Sequence, residues 1–111
     1  MTEVKAVAKY VRVPPRKVRR VIALIRGQNA DAALEKMRFV NSRAARYVER
    51  VLKSAIANAE NNAKLDRSAL VVKQATADEG IAWRGRRTRM RGAVNLIRRR
   101  TSHIAVVVEE A

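Results

Sequence analysis

The order of the periodic segments predicts an α+β fold: a strand, three helices, then strands again, with an arginine-rich β-ribbon carried outside the core. Three observations support this. Apolar residues recur at 3- and 4-residue spacing from about residue 16 to 62, and β-branched runs occupy both ends of the chain. Between Gly80 and Val108 there are eight arginines and no acidic residue. Like charge at that density cannot enter a protein's own interior, so the segment must face outward, toward a polyanion.

Residues 4–13 alternate, placing Val4, Ala6, Ala8 and Tyr10 on one face and Lys5 and Lys9 on the other. Pro14-Pro15 closes that strand and opens a helix, because proline fits the first helical turn, where its missing donor has no partner to lose. Val18, Val21, Ile22 and Ile25 then share a helical face; Arg16, Lys17, Arg19, Arg20 and Arg26 take the remainder, and Gly27 supplies a stop. Asn29 or Asp31 caps a short helix reaching about Phe39, with Ala33, Leu34 and Met37 inward. Asn41 or Ser42 caps the longest helix, which ends near Asn61-Asn62. Its stripe is Ala44, Val48, Val51, Leu52, Ala55 and Ala59, and Arg43, Arg46, Arg50 and Lys53 gather on the opposite side.

Residues 70–79 and roughly 97–108 read as strands too far apart for a tight hairpin loop. If residues 80–103 form one ribbon, each arm spans about twelve residues, roughly 40 Å at 3.3 Å per residue. An isolated two-stranded ribbon is marginal in water, so this one is expected to gain order inside its partner.

At 111 residues the chain is expected to form one domain, 1–111, with a modest core. The charge of +15 is uneven: residues 1–27 carry +7, residues 28–79 only +2, and residues 80–108 +8. Both flanks therefore read as contact surfaces around an ordinary centre. Cysteine is absent, which excludes disulfides, thiol nucleophiles and thiolate metal sites. No apolar run reaches membrane-spanning length and no hydrophobic signal region opens the chain, so a cytoplasmic protein without membrane insertion is expected.

Phosphate recognition favours arginine, whose planar fork matches two phosphate oxygens, and the segment from Gly80 to Val108 has no lysine. The candidate nucleic-acid contacts are Arg12, Arg16, Lys17, Arg19, Arg20, Arg84, Arg86, Arg87, Arg89, Arg91, Arg98, Arg99 and Arg100. Trp83, the only tryptophan, lies among arginines and reads as a wedge or stacking partner near the ribbon's tip, the alternative being that it covers the ribbon's base. Gly85 and Gly92 serve as turn residues or as points of close approach to phosphate. A lone His103 makes no metal site, and Ser102 and His103 are expected to hydrogen-bond to RNA or to backbone. Asp78-Glu79 reads as a strand end that pairs with an arginine, since adjacent strand residues point to opposite faces and make a poor acid–base couple. No catalytic set, phosphate loop or cofactor motif is present, so no enzyme and no cofactor is expected.

These segments together resemble the bacterial family of ribosomal large-subunit protein twenty-two. The resemblance rests on AVAKYVRVPPRKVRRVIALIRG at residues 6–27, NAENN at 58–62, DEG at 78–80 and RRRTSHIAVVV at 98–108. It implies three helices packed on a small antiparallel sheet, with a long extended β-hairpin, about 80–98, projecting from the globular domain. It further implies a structural constituent of the large ribosomal subunit that binds several domains of ribosomal RNA, acts early in subunit assembly and touches neighbouring ribosomal proteins. The hairpin would line the nascent-peptide exit tunnel, with Trp83, Arg84, Gly85, Arg86, Arg87, Thr88 and Arg89 at its tip, where changes would alter the response to macrolides. Read from charge alone, the alternative is an architectural DNA-binding protein that places an arginine ribbon in a groove. Such a protein is usually a symmetric dimer, and no separate dimer stripe is visible.

Overall fold

Where the apolar period changes, the structure changes with it. The computed structural model describes residues 3–88 and 90–110 and runs β1 (Glu3–Val11), α1 (Pro15–Ile22), α2 (Ala30–Phe39), α3 (Arg43–Asn61), β2 (Leu70–Glu79), β3 (Trp83–Thr88), β4 (Val94–Arg99) and β5 (Ser102–Glu110). The chain is α+β, with three helices against an antiparallel sheet of order β1-β5-β2 and a separate two-stranded ribbon, β3-β4.

The last strand is the centre of the sheet. Ile104, Val106 and Val108 of β5 point inward and are fully buried, meeting Ala6 across one ladder and Val72, Ala75 and Ala77 across the other. The helices close that face with Val18 and Ile22 from α1, Met37 from α2, and Val48, Leu52 and Ala55 from α3. Alanines in α3 keep its axis close to the strands.

Bulges adjust this pattern at two places. The β1–β5 register shifts between Ala8 and Val11, and Tyr10 takes a left-handed conformation with φ 58°. The shift turns Tyr10 outward, 59% exposed, and buries Val11 instead. The expectation that Tyr10 shares the inner face of Ala6 is thereby corrected; an extra residue in one strand breaks strict alternation. A second shift between Val72 and Gln74 sets Lys73 beside Glu3 and 3.6 Å from Glu109. Its exposed ammonium is held above the usual lysine pKa by the Glu3 hydrogen bond first, then by the charge of Glu109.

The free edge of β2 is covered. Gly27, at φ 75°, turns the chain after α1 so that its N–H meets the Val72 carbonyl at 2.9 Å, and the Val72 N–H meets Gln28 at 2.9 Å. Arg26 then donates two hydrogen bonds to the Ala75 carbonyl, and Arg19 Nε donates to Ala77 at 3.1 Å. Side chains so placed block a foreign strand from pairing there.

A kink joins body to ribbon. The ladder stops at Glu79–Ser102 and resumes at Trp83–Arg99, with one residue more on the outgoing side than on the return. Within the gap, the Gly80 N–H donates to the Thr101 carbonyl and Thr101 Oγ1 donates to Ile81, at 2.9 and 2.7 Å. A Cβ on Gly80 would lie 2.5 Å from that hydroxyl, so only glycine permits the approach. Beyond the kink the ribbon has six paired residues in each arm, not the twelve expected, because the kink takes 80–82 and 100–101, the reversal takes the residues between Thr88 and Val94, and β5 takes Ser102 and His103. The molecule is still elongated, 61 × 24 × 17 Å.

Candidate nucleic-acid interface

Arginines from three distant segments converge at the root of the ribbon. Arg12 comes from the link into α1 and Arg16 from its first turn, Arg43 from the first residue of α3, Arg99 from the end of β4 and Arg100 from the kink after it. With Pro14 and Thr101 they line a half-open cleft of about 720 Å³. Among the described residues no acidic one lines it. Among the described residues only Arg100 has an ion-pair partner, Glu79 at 3.4 Å, with both side chains more than half exposed. That contact matches the expectation of a Glu79–arginine pair.

Local sequence explains the convergence. Pro14-Pro15 turns the chain sharply from β1 into α1 and anchors the turn with a buried Pro15, leaving Arg12 and Arg16 outside. Neither α1 nor α3 has an acidic residue in its first turn, so neither helix start neutralises the cleft. Beside it on α3, Tyr47 lies under two guanidinium groups, Arg43 at 6.0 Å and Arg50 at 5.8 Å from the ring centre. A cation over an aromatic face is favourable at this range.

The arginine side of α3 is divided. Arg46 donates to the carbonyls of Met37 and Val40 at the end of α2, and to Glu49 at 3.0 Å. Glu49 is nearly buried and also lies 3.4 Å from Lys53 and 3.9 Å from Arg38. Arg46 and Lys53 therefore stabilise the body, while Arg43 and Arg50 face outward. Sequence reasoning had placed all four on one back and had not assigned Arg43, Tyr47 or Arg50 to binding. The available signal was an aromatic between arginines at i, i+4 and i+7.

Of the other predicted residues, Arg16, Lys17, Arg19 and Arg20 are all exposed on α1, although Arg19 also holds β2. Arg84 and Arg86 on β3, and Arg91 in the turn, are exposed along the ribbon. Arg91 is left-handed at φ 59° and Gly92 follows at φ 75°, which together reverse the chain between Thr88 and Val94. Arg89 lies outside the described residues, as do the side chains of Trp83, Arg87, Thr88 and Arg98.

Two placements need correction. Trp83 is not at the tip: its backbone pairs with Arg99 at the root, because β3 starts immediately after the kink, and Gly85 pairs with Ile97 in mid-ribbon. Ser102 takes the backbone alternative and not the RNA one: it is fully buried on the inward side of β5, and its hydroxyl donates to the Val13 carbonyl. His103 is half-buried; its Nδ1 accepts from the Tyr10 N–H at 3.2 Å and its ring meets Tyr10 edge-on. Among the described residues no group of potential metal ligands gathers, and no helix is long and apolar enough to cross a membrane.

Comparison with known proteins covers nearly the whole chain. The family model described as ribosomal protein L22p/L17e matches residues 6–109. Large ribosomal subunit protein uL22 of Thermoanaerobacter sp. (strain X514) is 51% identical over 108 residues, covering 97% of each chain. The protein of the same name from Desulfitobacterium hafniense (strain Y51) is 48% identical over 110 residues, covering 99% of this chain and 96% of its own. The uL22 of Carboxydothermus hydrogenoformans is 47% identical over 108 residues. The chain belongs to the ribosomal protein L22p/L17e family.

Proposed function

We propose that this chain, a structural constituent of the large ribosomal subunit by its family, binds large-subunit ribosomal RNA through two surfaces: the arginine cleft with the outer side of α1, and the ribbon. Its place is the cytoplasmic ribosome, and its partners are ribosomal RNA and neighbouring ribosomal proteins. The observation that carries the reading is the acid-free arginine ribbon projecting from a body whose own carboxylates are largely paired.

In this reading the body docks on the subunit surface while the ribbon passes between RNA segments, which neutralise Arg84, Arg86 and Arg91. Binding both at the body and along the projecting ribbon joins separate RNA domains and supports early assembly. The end of the ribbon reaches the peptide exit tunnel. Given the ladder register, Thr88 to Val94 make up that end, and Trp83 lies deeper, at the root.

A salt titration of affinity for large-subunit ribosomal RNA tests the binding. Each neutralised phosphate releases counterion, so log affinity falls by roughly 0.7–0.9 per contact for each unit of log salt. A steep loss is expected, and a flat profile would refute the reading. Replacement of Arg98, Arg99 and Arg100 together by glutamine is expected to impair incorporation into large subunits. For the tunnel, a photo-crosslinker at Arg91 should capture nascent peptide in translating ribosomes, whereas one at Trp83 should capture RNA. Capture of peptide at Trp83 alone would reverse the assignment.

A further inference from the structure

We infer that the cleft at the root of the ribbon is a seat for the backbone of a sharply turned or extruded RNA strand, holding neighbouring phosphates between opposed guanidinium groups. This rests on the RNA-binding reading above and specifies the form of RNA that one of its surfaces takes.

The argument begins with repulsion. Arg12, Arg16, Arg43, Arg99 and Arg100 are brought around one space by three segments far apart in sequence, with no carboxylate among the described lining residues and only Arg100 paired, to an exposed Glu79 outside the lining. Nothing in the packing requires this, since all five side chains are exposed. Such an arrangement becomes favourable once anionic oxygens fill the space, because each guanidinium then makes charge-assisted, forked contacts.

The shape decides which anion. About 720 Å³ falls within the ordinary range of small-ligand sites, about 300–1,000 Å³. That space suits a nucleotide or two and excludes a double helix. A duplex carries its phosphates on a convex rim and would touch one wall of the cleft at a time. A strand whose backbone turns inward offers phosphates to all three walls together. Tyr47 lies next to this opening, shared between Arg43 and Arg50, where an unstacked base leaving the cleft can lie on an aromatic–guanidinium surface. Single-stranded turns and bulges present bases in that way; paired RNA does not.

The test uses the full chain, a large-subunit ribosomal RNA transcript and a blunt RNA duplex. The double variant Arg16→Gln/Arg43→Gln is compared with Arg16→Lys/Arg43→Lys, which keeps charge but loses the fork, and with Lys5→Gln/Lys36→Gln, which removes the same charge elsewhere. The glutamine double should lose tenfold or more affinity for the transcript, with the salt slope reduced by about 1.5–2. Its affinity for the duplex should fall no further than that of the Lys5/Lys36 control. The lysine double should restore the slope but recover only part of the affinity. Equal weakening on both RNAs, matching the control, would mean diffuse charge and overturn the inference. So would a lysine double that binds like the parent chain, which also decides the matter if the glutamine double melts early. If the unmodified chain shows no salt-dependent affinity for the transcript, the broader RNA-binding reading fails first. If it binds and the glutamine double binds equally well, only the cleft assignment fails.

Discussion

The body and the ribbon handle the same residue, arginine, in opposite ways. In the body, Arg46 caps the end of α2 and meets Glu49, Arg26 and Arg19 close the edge of β2, and Arg67 lies 2.8 Å from Asp31. The guanidinium of Arg67 is held above its usual pKa, mainly by that Asp31 hydrogen bond. In the ribbon, Arg84, Arg86, Arg91 and Arg99 are exposed and have no ion-pair partner among the described residues. Arginine in the body thus completes a structure, and arginine in the ribbon leaves one incomplete. The difference comes from where acids and open carbonyls lie, because five of the seven carboxylates of residues 28–79 precede the last two residues of β2, which are the other two, and the ribbon has none.

Breaking the internal pairing should therefore cost stability and little RNA affinity. Glu49→Ala is the largest such change expected. It would leave Arg46, Lys53 and Arg38 without their shared carboxylate at a position only 12% exposed. Hydrogen bonds to charged groups contribute about 1.5–3 kcal/mol, and half-exposed cations recover some solvation, so a loss of roughly 1–3 kcal/mol is expected in chemical denaturation. An unchanged midpoint would show that Arg46 holds α2 without Glu49 and would blur the division between the two regions.

The junction should respond at an intermediate level. In Gly80→Ala the new Cβ meets Thr101 Oγ1, which must rotate away from Ile81 and abandon a hydrogen bond in a buried position. One such bond contributes about 1 kcal/mol, and overcrowding adds to it, so a loss of about 1–2 kcal/mol is expected. The kink sets the direction of the ribbon, so incorporation into large subunits should fall further than stability does. Normal incorporation with a lowered midpoint would show that the body alone selects the site.

The body was legible to the sequence because its signals are periodic. Apolar spacing located α2 and α3 to within a residue or two, β2 spans the residues expected, and Asn29 caps α2 through hydrogen bonds to the Asp31 and Ala32 N–H groups. Ser42, the other expected cap, precedes α3 but its side chain makes no capping bond. Ser102 was also legible in principle: strict alternation from Ile104 through Val108 places it on the inner side, which decides between the two expected partners for backbone over RNA. Tyr10 was not legible, since a bulge resets the alternation and no glycine announces it. The ribbon's charge was plain, but its register was not. With a single apolar residue on β3, the pattern does not fix which residue faces which. Trp83 was accordingly assigned to the wrong end. The cleft lay beyond one-dimensional reading, because Arg16, Arg43 and Arg99 meet only through the packing of β1, α3 and the kink.

The smallest expected effect on stability is the sharpest check of the comparison. Arg84→Gln/Arg86→Gln/Arg91→Gln removes three positive charges from exposed positions where, among the described residues, they make no ion pair. Surface changes of that kind stay within about 0.5 kcal/mol each, and relief of mutual repulsion offsets part of any loss. The denaturation midpoint should therefore stay close to that of the parent chain. The salt dependence of ribosomal RNA affinity should drop by about 2–3 in slope, one phosphate for each guanidinium removed. If instead the variant unfolded earlier while its RNA slope held, these arginines would support the protein as those of the body do, and the two regions would not differ in kind.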